Sequence, residues 1–355
     1  MKYTPVLKKL GEHAKADFKW RNGLLLRSTN WLGDVVMTLP AAYQISRCIP
    51  SGCGFFVLCQ KGLAPIWRAC PWVDIVIGMD GHHVSRNEIA DAQHLRPGVA
   101  CVFPNSFGSA LDVYRCKVPQ RVGRSGRFRS FMLTERLKEW PPAKGNADCH
   151  QLSYYHEIAS LFGDVEYTTD YPRLKVDLEL SRRLGMDGGD WLAVAPGAAF
   201  GPAKQWLPEY FLEVARWYGD HGGRVVLVGT SKEQPVTSWI AERMPGTLDI
   251  AGKTTMEELM SVLSASRTVV ANDSGAMHLA AAVGTSGVAV FGSTDPVATG
   301  PIGAPWRIIV STELCRPCFS RTCQQHDHPY RCLKEISPHT VIEELGELLS
   351  KEASS

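Results

Sequence analysis

A stretch of the chain at 267–296 places the strongest constraint on the fold. It reads as an apolar strand, a polar turn at 272–275, a helix of small residues and a second apolar strand. This alternation is typical of an α/β domain. Asp273 and Ser274 are predicted to cap the start of the helix. A helix start after a strand can bind an anion through its free backbone N–H groups, but for this turn alone an ordinary capped helix is an equal alternative.

Length and composition favour an ordinary globular protein with two α/β domains. The chain has 355 residues, of which 45% are hydrophobic and 21% charged. A net charge of +2 gives no general attraction to nucleic acid. No apolar run is long enough to span a membrane, and the first twenty residues lack the apolar region of a signal peptide. With 11 cysteines, mostly scattered singly, we expect reduced thiols and a cytoplasmic location.

The first half of the chain repeats the strand, loop and helix pattern. Apolar runs predict strands at 23–27, 55–59, 73–77 and 98–103, with a helix from 35 to about 47 after the first. Ligands of such folds bind at the carboxyl ends of parallel strands, where Asp34 and the turn at 104–110 would lie. For Asp34, a helix cap and a catalytic carboxylate are equal alternatives at this point.

Two basic segments stand out in the same half. Residues 1–20 could form a basic amphipathic helix on a membrane surface, although a helix packed on the domain or a loose tail is favoured. Between Arg115 and Arg129 there are six basic residues and no acidic one. This run could meet a phosphate or carboxylate, and a solvated surface is nearly as good an interpretation.

The second half presents several similar turns along one edge of a predicted sheet. Strands at 191–195, 224–228, 248–251 and 268–271 each end in a turn rich in Gly, Ser, Thr or Lys. Several phosphate-compatible turns on one edge indicate phosphate binding more specifically than any single turn does. The weakest patterns lie at 136–190, so we divide the chain into domains at 1–180 and 181–355.

The C-terminal part contains four cysteines spaced C-x2-C-x4-C-x8-C, namely Cys315, Cys318, Cys323 and Cys332. A zinc site has the right ligand count but not a standard spacing. Structural packing or a redox-labile group is about as plausible. A closing helix is predicted at 338–349.

Several well-known motifs fail. The Gly252-Lys253-Thr254 sequence lacks the partner glycine of a phosphate-binding P-loop, since position 247 is threonine. No G-x-G-x-x-G follows a strand, and G-x-S-x-G, H-E-x-x-H and a metal-binding D-x-D are absent from the sequence. A nucleotide held without metal by backbone N–H groups, a helix start and a lysine fits what remains.

Five segments of the chain, taken together, resemble glycosyltransferase family 9, the ADP-heptose:lipopolysaccharide heptosyltransferases, and within it the heptosyltransferase II type. The resemblance spans about 23–350. It rests on the segments 272–278, 291–296, 196–206, 31–34 and 104–107.

The resemblance implies a GT-B architecture, with two Rossmann-like domains whose parallel sheets face a cleft. The N-terminal domain would bind the acceptor and the C-terminal domain the nucleotide-sugar. The last helix, about 338–350, could cross back onto the N-terminal domain. The implied reaction is a metal-independent, inverting transfer of heptose from ADP-heptose to the heptose of Hep-Kdo-lipid A, with no cofactor.

The resemblance also implies roles for individual residues. Asp34 would be the general base, and Lys204 would neutralise the diphosphate. The other donor-binding residues would be Gly197, Gly229, Glu233, Thr254, Asp273, Ser274, Gly275 and His278. The acceptor-binding residues would be Asn30, Gly33, Asn105, Ser106, Arg121 and Arg124. The basic run would then face the Kdo carboxylates and phosphates of the inner core.

This interpretation predicts a cytoplasmic enzyme at the inner face of the inner membrane, in peripheral contact with it. Its partners would be an ADP-sugar and the lipopolysaccharide inner core, and not nucleic acid. One alternative is a family 9 transferase with another nucleotide-sugar or acceptor. A second is a catalytically silent protein that binds a sugar nucleotide, against which the presence of both Asp34 and Lys204 argues.

Overall fold

The computed structural model describes residues 2–140 and 147–352. Its contacts divide the chain into two compact units. The N-terminal unit comprises 7–140 and 149–175, and the C-terminal unit comprises 2–6, 147–148 and 176–352. The predicted boundary at 180 and 181 stays a proposal beside this division by contacts.

The N-terminal unit contains a parallel sheet with six described strands in the order β3-β2-β1-β4-β5-β6. Its strands are β1 (Gly23–Arg27), β2 (Gly54–Gln60), β3 (Ile75–Met79), β4 (Val99–Val102), β5 (Gln120–Arg124) and β6 (Glu135–Leu137). Its helices are α1 (Leu32–Arg47), α2 (Ala64–Arg68), α3 (Arg86–Leu95), α4 (Phe107–Arg115) and α5 (Leu152–Ala159).

The C-terminal unit repeats this design, with six described parallel strands in the order β12-β11-β10-β7-β8-β9. Its strands are β7 (Trp191–Ala195), β8 (Arg224–Leu227), β9 (Leu248–Asp249), β10 (Thr268–Asn272), β11 (Gly287–Phe291) and β12 (Trp306–Val310). Its helices are α6 (Glu179–Arg183), α7 (Pro208–Asp220), α8 (Gln234–Arg243), α9 (Met256–Ala265), α10 (Gly275–Ala282), α11 (Pro296–Thr299), α12 (Arg331–Lys334) and α13 (Pro338–Glu352).

Both sheets are doubly wound, and this explains the composition of their strands. The central strands β1, β7, β10 and β11 are buried along their whole length, which is why they read as continuous apolar runs rather than as alternating patterns. In each unit the strand order reverses once, between β1 and β4 and between β7 and β10. At such a switch point the loops on either side separate and leave a crevice at the carboxyl ends of the strands.

The GT-B class of the fold is confirmed: each unit carries a Rossmann-like parallel sheet. The strands and the α1 helix lie within a few residues of the predicted segments, and β7 coincides with 191–195. The sequence patterns missed β5, β6 and β12. The first of these was hidden because it lies inside the basic run.

Two further predictions concern the first twenty residues and the last helix. Of the alternatives for residues 1–20, both helices are wrong for the described part, since 2–20 contains no helix. The last helix, α13, packs on α7, β11 and β12 of its own C-terminal unit. None of the described helices has the length and apolar character needed to span a membrane.

Candidate functional site

The switch point of the C-terminal unit carries an ion pair. Lys204 lies in the loop after β7 and Asp273 directly after β10, and these two strands are neighbours in the sheet. Lys204 Nζ is 2.5 Å from Asp273 Oδ2, with side chains only 14% and 3% exposed. Thr294 Oγ1 donates a hydrogen bond of 2.5 Å to the same carboxylate oxygen. The carboxylate therefore holds the ammonium group at the crevice, between two loops distant in sequence.

The loop that carries Lys204 is held by hydrogen bonds to Asn272, a buried residue at the end of β10. Its Nδ2 donates to Pro196 O at 2.7 Å, and its Oδ1 accepts from the backbone N–H of Trp206 at 2.9 Å. One side chain thus binds both ends of the loop. The ring of Phe200 lies 4.9 Å from Lys204 Nζ, which adds a cation–π contact. Lys204 is held in place before any substrate binds.

The start of α10 differs from the predicted capping. Ser274 occupies the cap position in an extended conformation, but no side chain caps the helix. The prediction that Asp273 and Ser274 cap α10 is wrong, because the Asp273 carboxylate is committed to Lys204 and Thr294. The backbone N–H groups of the first turn, from Gly275 onward, remain available to a ligand. His278 lies one turn further on and is buried.

Two hydroxyl groups near this helix start are shielded from solvent without a hydrogen-bond partner in the described structure: Ser274 Oγ and Ser293 Oγ. Ser293 follows β11 and precedes Thr294, which binds Asp273. Buried hydroxyls without partners are rare in folded proteins. Here they flank a helix start and a lysine, which is a suitable setting for the oxygens of a phosphate.

Glu233 lies in the loop after β8, and its carboxylate lies beside Gly197 in the loop after β7. Its Oε2 accepts a hydrogen bond of 2.6 Å from the backbone N–H of Thr230. A Cβ atom at Gly197 would lie 1.9 Å from Glu233 Oε1, and one at Gly229 would lie 3.0 Å from Oε2. Glycine at position 197 is therefore required for this carboxylate to reach its place. Thr254 lies half-buried in the loop between β9 and α9.

In the N-terminal unit, Asp34 lies in the first turn of α1 and is half-buried. Burial, and next the negative charge of Asp34, raise the pKa of Tyr155 well above its ordinary value. Tyr155 belongs to α5, which packs on α1. Asp34 thus stands at the carboxyl end of the central strand β1, beside a phenol that stays protonated. Gly33 precedes it in the same turn.

Polar residues follow β1 and β4, the two neighbouring strands at the switch point of this sheet. Asn30 Oδ1 accepts a hydrogen bond of 3.0 Å from Arg27 Nη1, and the fully buried Arg27 donates through Nε to Asp112 Oδ2 at 2.9 Å. Asn105 Oδ1, after β4, is buried without a hydrogen-bond partner in the described structure. Ser106 caps α4 by accepting from the N–H of Ser109 at 3.2 Å.

The basic run is only partly a surface: three of its members, Arg115, Lys117 and Arg127, are exposed, and the other three are held by the protein itself. Arg124 is 3% exposed and donates to Glu157 and to the carbonyls of Lys138 and Tyr154. The Arg121 guanidinium donates to the carbonyls of Met132, Val118 and Pro119. Both guanidinium groups therefore help to hold the fold around β5, and their predicted contact with the acceptor stays a prediction.

Arg129 belongs to the basic run, but no individual role was predicted for it. It is fully buried, and its Nη1 donates to the carbonyls of Pro104 at 2.5 Å and of Ser106 at 3.1 Å. Burial, and next the charge of Arg127, lower its pKa to about 10, so it stays cationic at neutral pH. Arg129 fixes the loop that presents Asn105 and Ser106. Thr294 and Asn272 were likewise missed, although both lie in the motifs quoted for the resemblance.

The four C-terminal cysteines are brought together. Cys315, Cys318, Cys323 and Cys332 all line one small cavity in the C-terminal unit. All are free thiols. Burial, and next the neighbouring thiol groups, raise the pKa of Cys332 to about 11. In the part of the chain that is described, no group of three or more His, Cys, Asp or Glu side chains is already arranged to hold a metal ion.

Each of the two units thus has a Rossmann-like sheet with a candidate site at its switch point. The C-terminal unit carries a lysine and free helix N–H groups there, and the N-terminal unit carries a carboxylate. The family model of glycosyltransferase family 9 (heptosyltransferase) matches residues 92–328, more than half of the chain. The chain belongs to glycosyltransferase family 9.

The chain is also similar to individual heptosyltransferases, over nearly its whole length and theirs. The chain is 28% identical to lipopolysaccharide heptosyltransferase 2 of Salmonella typhimurium, over 93% of this chain and 99% of that protein. It is 27% identical to lipooligosaccharide heptosyltransferase 2 of Haemophilus influenzae, over 92% and 99%. The solved structure of E. coli ADP-heptose lps heptosyltransferase II superposes with a TM-score of 0.77 at 26% identity, covering 93% of this chain and 99% of that one.

Proposed function

We propose that this family 9 enzyme transfers heptose, with inversion, from ADP-heptose to the heptose of Hep-Kdo-lipid A. The observation that carries the proposal is the group formed by Lys204, Asp273 and Thr294 at the switch point of the C-terminal unit. A buried lysine held by a carboxylate, next to an uncapped helix start, is suited to a leaving diphosphate. ADP-heptose is proposed as donor because the E. coli relative is described as acting with it.

On the donor side, the negative charge that develops on the leaving group is the main electrostatic problem of the reaction. Lys204 and the first-turn N–H groups of α10 would meet the diphosphate, and the hydroxyls of Ser274 and Ser293 would donate to its oxygens. Glu233, beside Gly197, would accept hydrogen bonds from the ribose, with Thr254 nearby on the same edge. His278 would shape the base of the site from inside α10. These groups can do so without a metal ion or a cofactor.

On the acceptor side, Asp34 would act as general base. As the acceptor oxygen forms its bond to C1 of the heptose, the bond from C1 to the diphosphate oxygen breaks and ADP leaves with that electron pair. The acceptor proton passes to the Asp34 carboxylate, and the attack from the opposite face inverts the anomeric carbon. Asp34 sits in the first turn of α1, which follows the central strand β1.

Acceptor recognition is assigned to Asn30, Gly33, Asn105 and Ser106, at the carboxyl ends of β1 and β4. The amide of Asn30 is held by Arg27, and the loop of Asn105 and Ser106 by Arg129. The unpartnered Asn105 Oδ1 is available to a sugar hydroxyl. Arg121 and Arg124 hold the strand beside this region, and their contact with acidic groups of the acceptor remains part of the proposal.

The acceptor chemistry also sets the proposed location. A lipid A-linked acceptor requires peripheral contact with the cytoplasmic face of the inner membrane, where a cytoplasmic nucleotide-sugar can meet it. The relatives act, by their names, on lipopolysaccharide or lipooligosaccharide. An acceptor other than Hep-Kdo-lipid A is the alternative within the same family.

The proposal is tested by incubating the purified protein with ADP-heptose, UDP-glucose or GDP-mannose, each with Hep-Kdo-lipid A or Kdo-lipid A. Heptose transfer from ADP-heptose to the heptosylated acceptor alone, with the anomeric configuration inverted in the NMR spectrum of the product, is the expected result. Transfer to Kdo-lipid A would assign another acceptor. Tight binding of ADP without transfer from any donor would point to a silent binding protein.

A further inference from the structure

Four large aromatic side chains are exposed on three loops of the N-terminal unit, with exposures from 42% at Phe107 to 93% at Phe128. Trp31 lies after β1, Phe107 after β4, and Phe128 and Phe131 after β5. Because β1, β4 and β5 are neighbours in the sheet, the three loops emerge side by side at its carboxyl edge. Exposed apolar residues gathered on one side of a domain mark an interaction site. These four residues are here called the aromatic surface.

The aromatic surface shares its loops with the candidate acceptor residues. Asn30 directly precedes Trp31, and Ser106 directly precedes Phe107. The loops after β4 and β5 meet through their aromatic rings, since the ring centroids of Phe107 and Phe131 are 6.5 Å apart. An acceptor bound at Asn30 and Ser106 would therefore lie next to exposed aromatic rings.

The loop 125–131 is held in the shape that exposes Phe128. The backbones of Arg127 and Phe128 have φ values of +47° and +58°, which are rare for residues with a side chain. The buried Arg129 closes the loop, since its N–H donates to Gly126 O at 3.1 Å. Such strained conformations persist only where the surroundings impose them, and they concentrate at functional sites. The exposed position of Phe128 is thus built into the fold.

The charges beside the aromatic surface suit an anionic partner. The loops that carry its four residues contain no Asp or Glu. The exposed Arg127 lies next to Phe128, the exposed Lys138 follows β6, and the exposed Arg86 begins α3 on the same edge of the sheet. Glu139 Oε1 lies 3.9 Å from Arg127 Nε and offsets part of this charge. Three basic groups therefore stand against one acidic group at the margin of the aromatic surface.

We propose that the aromatic surface docks this enzyme on an anionic phospholipid bilayer, with its rings in the headgroup region and the neighbouring basic groups facing lipid phosphates. Aromatic side chains enter this region favourably, and each nearby Lys or Arg adds attraction to anionic lipids. A second copy of the chain fits less well, because a two-fold interface would bring the same basic groups together. The docking rests on the proposed function in one respect: a lipid-linked acceptor would enter the site from the membrane surface.

The test is sedimentation of the purified full-length protein with vesicles, in the absence of donor and acceptor. Vesicles of phosphatidylethanolamine and phosphatidylglycerol should bind the wild type, and vesicles of phosphatidylcholine should bind it more weakly. The double variant Phe128→Ser, Phe131→Ser should lower the partition coefficient at least about ten-fold, the contribution of burying one Phe side chain. Arg127→Gln should lower it about five-fold. Leu314→Ser removes a fully exposed apolar side chain of the C-terminal unit and, as the matched control, should bind like the wild type.

Three outcomes would overturn the proposal. The first, failure of the wild type to bind the anionic vesicles at low salt, needs no variant and so does not depend on how the variants fold. The second is equal vesicle binding by the wild type and the double variant. The third is a wild-type dimer in sedimentation velocity that the double variant converts to a monomer, since the surface would then hold a second copy.

A separate readout distinguishes docking from contact with the acceptor sugar. The double variant should keep kcat/KM for deacylated Hep-Kdo-lipid A in solution and lose transfer to the acylated acceptor in vesicles. Equal loss with both acceptors would contradict docking and assign the rings to the sugar. Vesicle binding is measured without turnover, so a failure of the proposed heptosyl transfer would leave the docking result intact.

Discussion

Replacement of Lys204 by methionine is the sharpest test of the donor site. The substitution keeps an unbranched, mostly apolar side chain but removes the positive charge and, with it, the cation–π contact with Phe200. A unit charge about 4 Å from one charge of a diphosphate contributes at most about 4 kcal/mol at an effective dielectric constant of about 20. Loss of one stabilising group of this type typically lowers kcat by about 100- to 1,000-fold. We expect kcat/KM for ADP-heptose to fall by that factor.

The same substitution leaves the Asp273 carboxylate buried with Thr294 as its remaining described partner. Removing one partner of a buried ion pair costs about 3–5 kcal/mol. Because the Lys204 side chain is 14% exposed, water reaches the pair, and we expect about 2–3 kcal/mol. The double variant Lys204→Met, Asp273→Asn removes the stranded charge and should recover most of this stability without recovering activity.

Steady-state kinetics and urea unfolding of both variants separate these two effects. Lys351→Met serves as the matched control, since Lys351 is exposed on α13 and pairs only with Glu347 among the described residues. The reasoning would be refuted if Lys204→Met kept turnover within about three-fold of wild type. It would also be refuted if the double variant regained activity together with stability, since the loss would then come from folding alone.

Three further outcomes are expected. Asp34→Asn, in the turn that begins α1, should lower kcat by about 100- to 10,000-fold, the contribution of a general base, with little change in KM for the donor; near-normal transfer would remove Asp34 as the base. Gly197→Ala should displace the Glu233 carboxylate and weaken ADP binding in calorimetry, while Gly62→Ala, a site without neighbours within 4 Å, should leave binding unchanged. Burial lowers the pKa of His156 from 6.5 to about 4, so the unfolded chain takes up its proton first. Stability should therefore be complete above pH 6.5 and fall as the pH drops toward 4, and His156→Gln should flatten that part of the urea-unfolding profile; an unchanged profile would contradict this origin.

The fold was largely predictable because buried parallel strands carry a strong local signal. Trp191–Ala195 is apolar throughout, and the structure buries every residue of it. In contrast, β5 (Gln120–Arg124) contains two arginines, and its pattern suggested a charged surface. The arginines are buried or half-buried there because backbone carbonyls and Glu157 accept their hydrogen bonds, and these partners come from other elements. No local pattern reports such partners.

The candidate site also combines features that local patterns predict with features that they do not. Local patterns showed which residues end each strand. Because the carboxyl ends of parallel strands coincide, these patterns were enough to place Lys204, Asp273 and Glu233 on one edge of a sheet. What each group does there depends on contacts that form only in the folded chain. Asp273 does not cap α10 but holds Lys204 and accepts from the Thr294 hydroxyl, and both of these partners come from other loops. Likewise, the spacing of four cysteines left packing, redox chemistry and metal binding open, and only the folded chain brought them around one cavity.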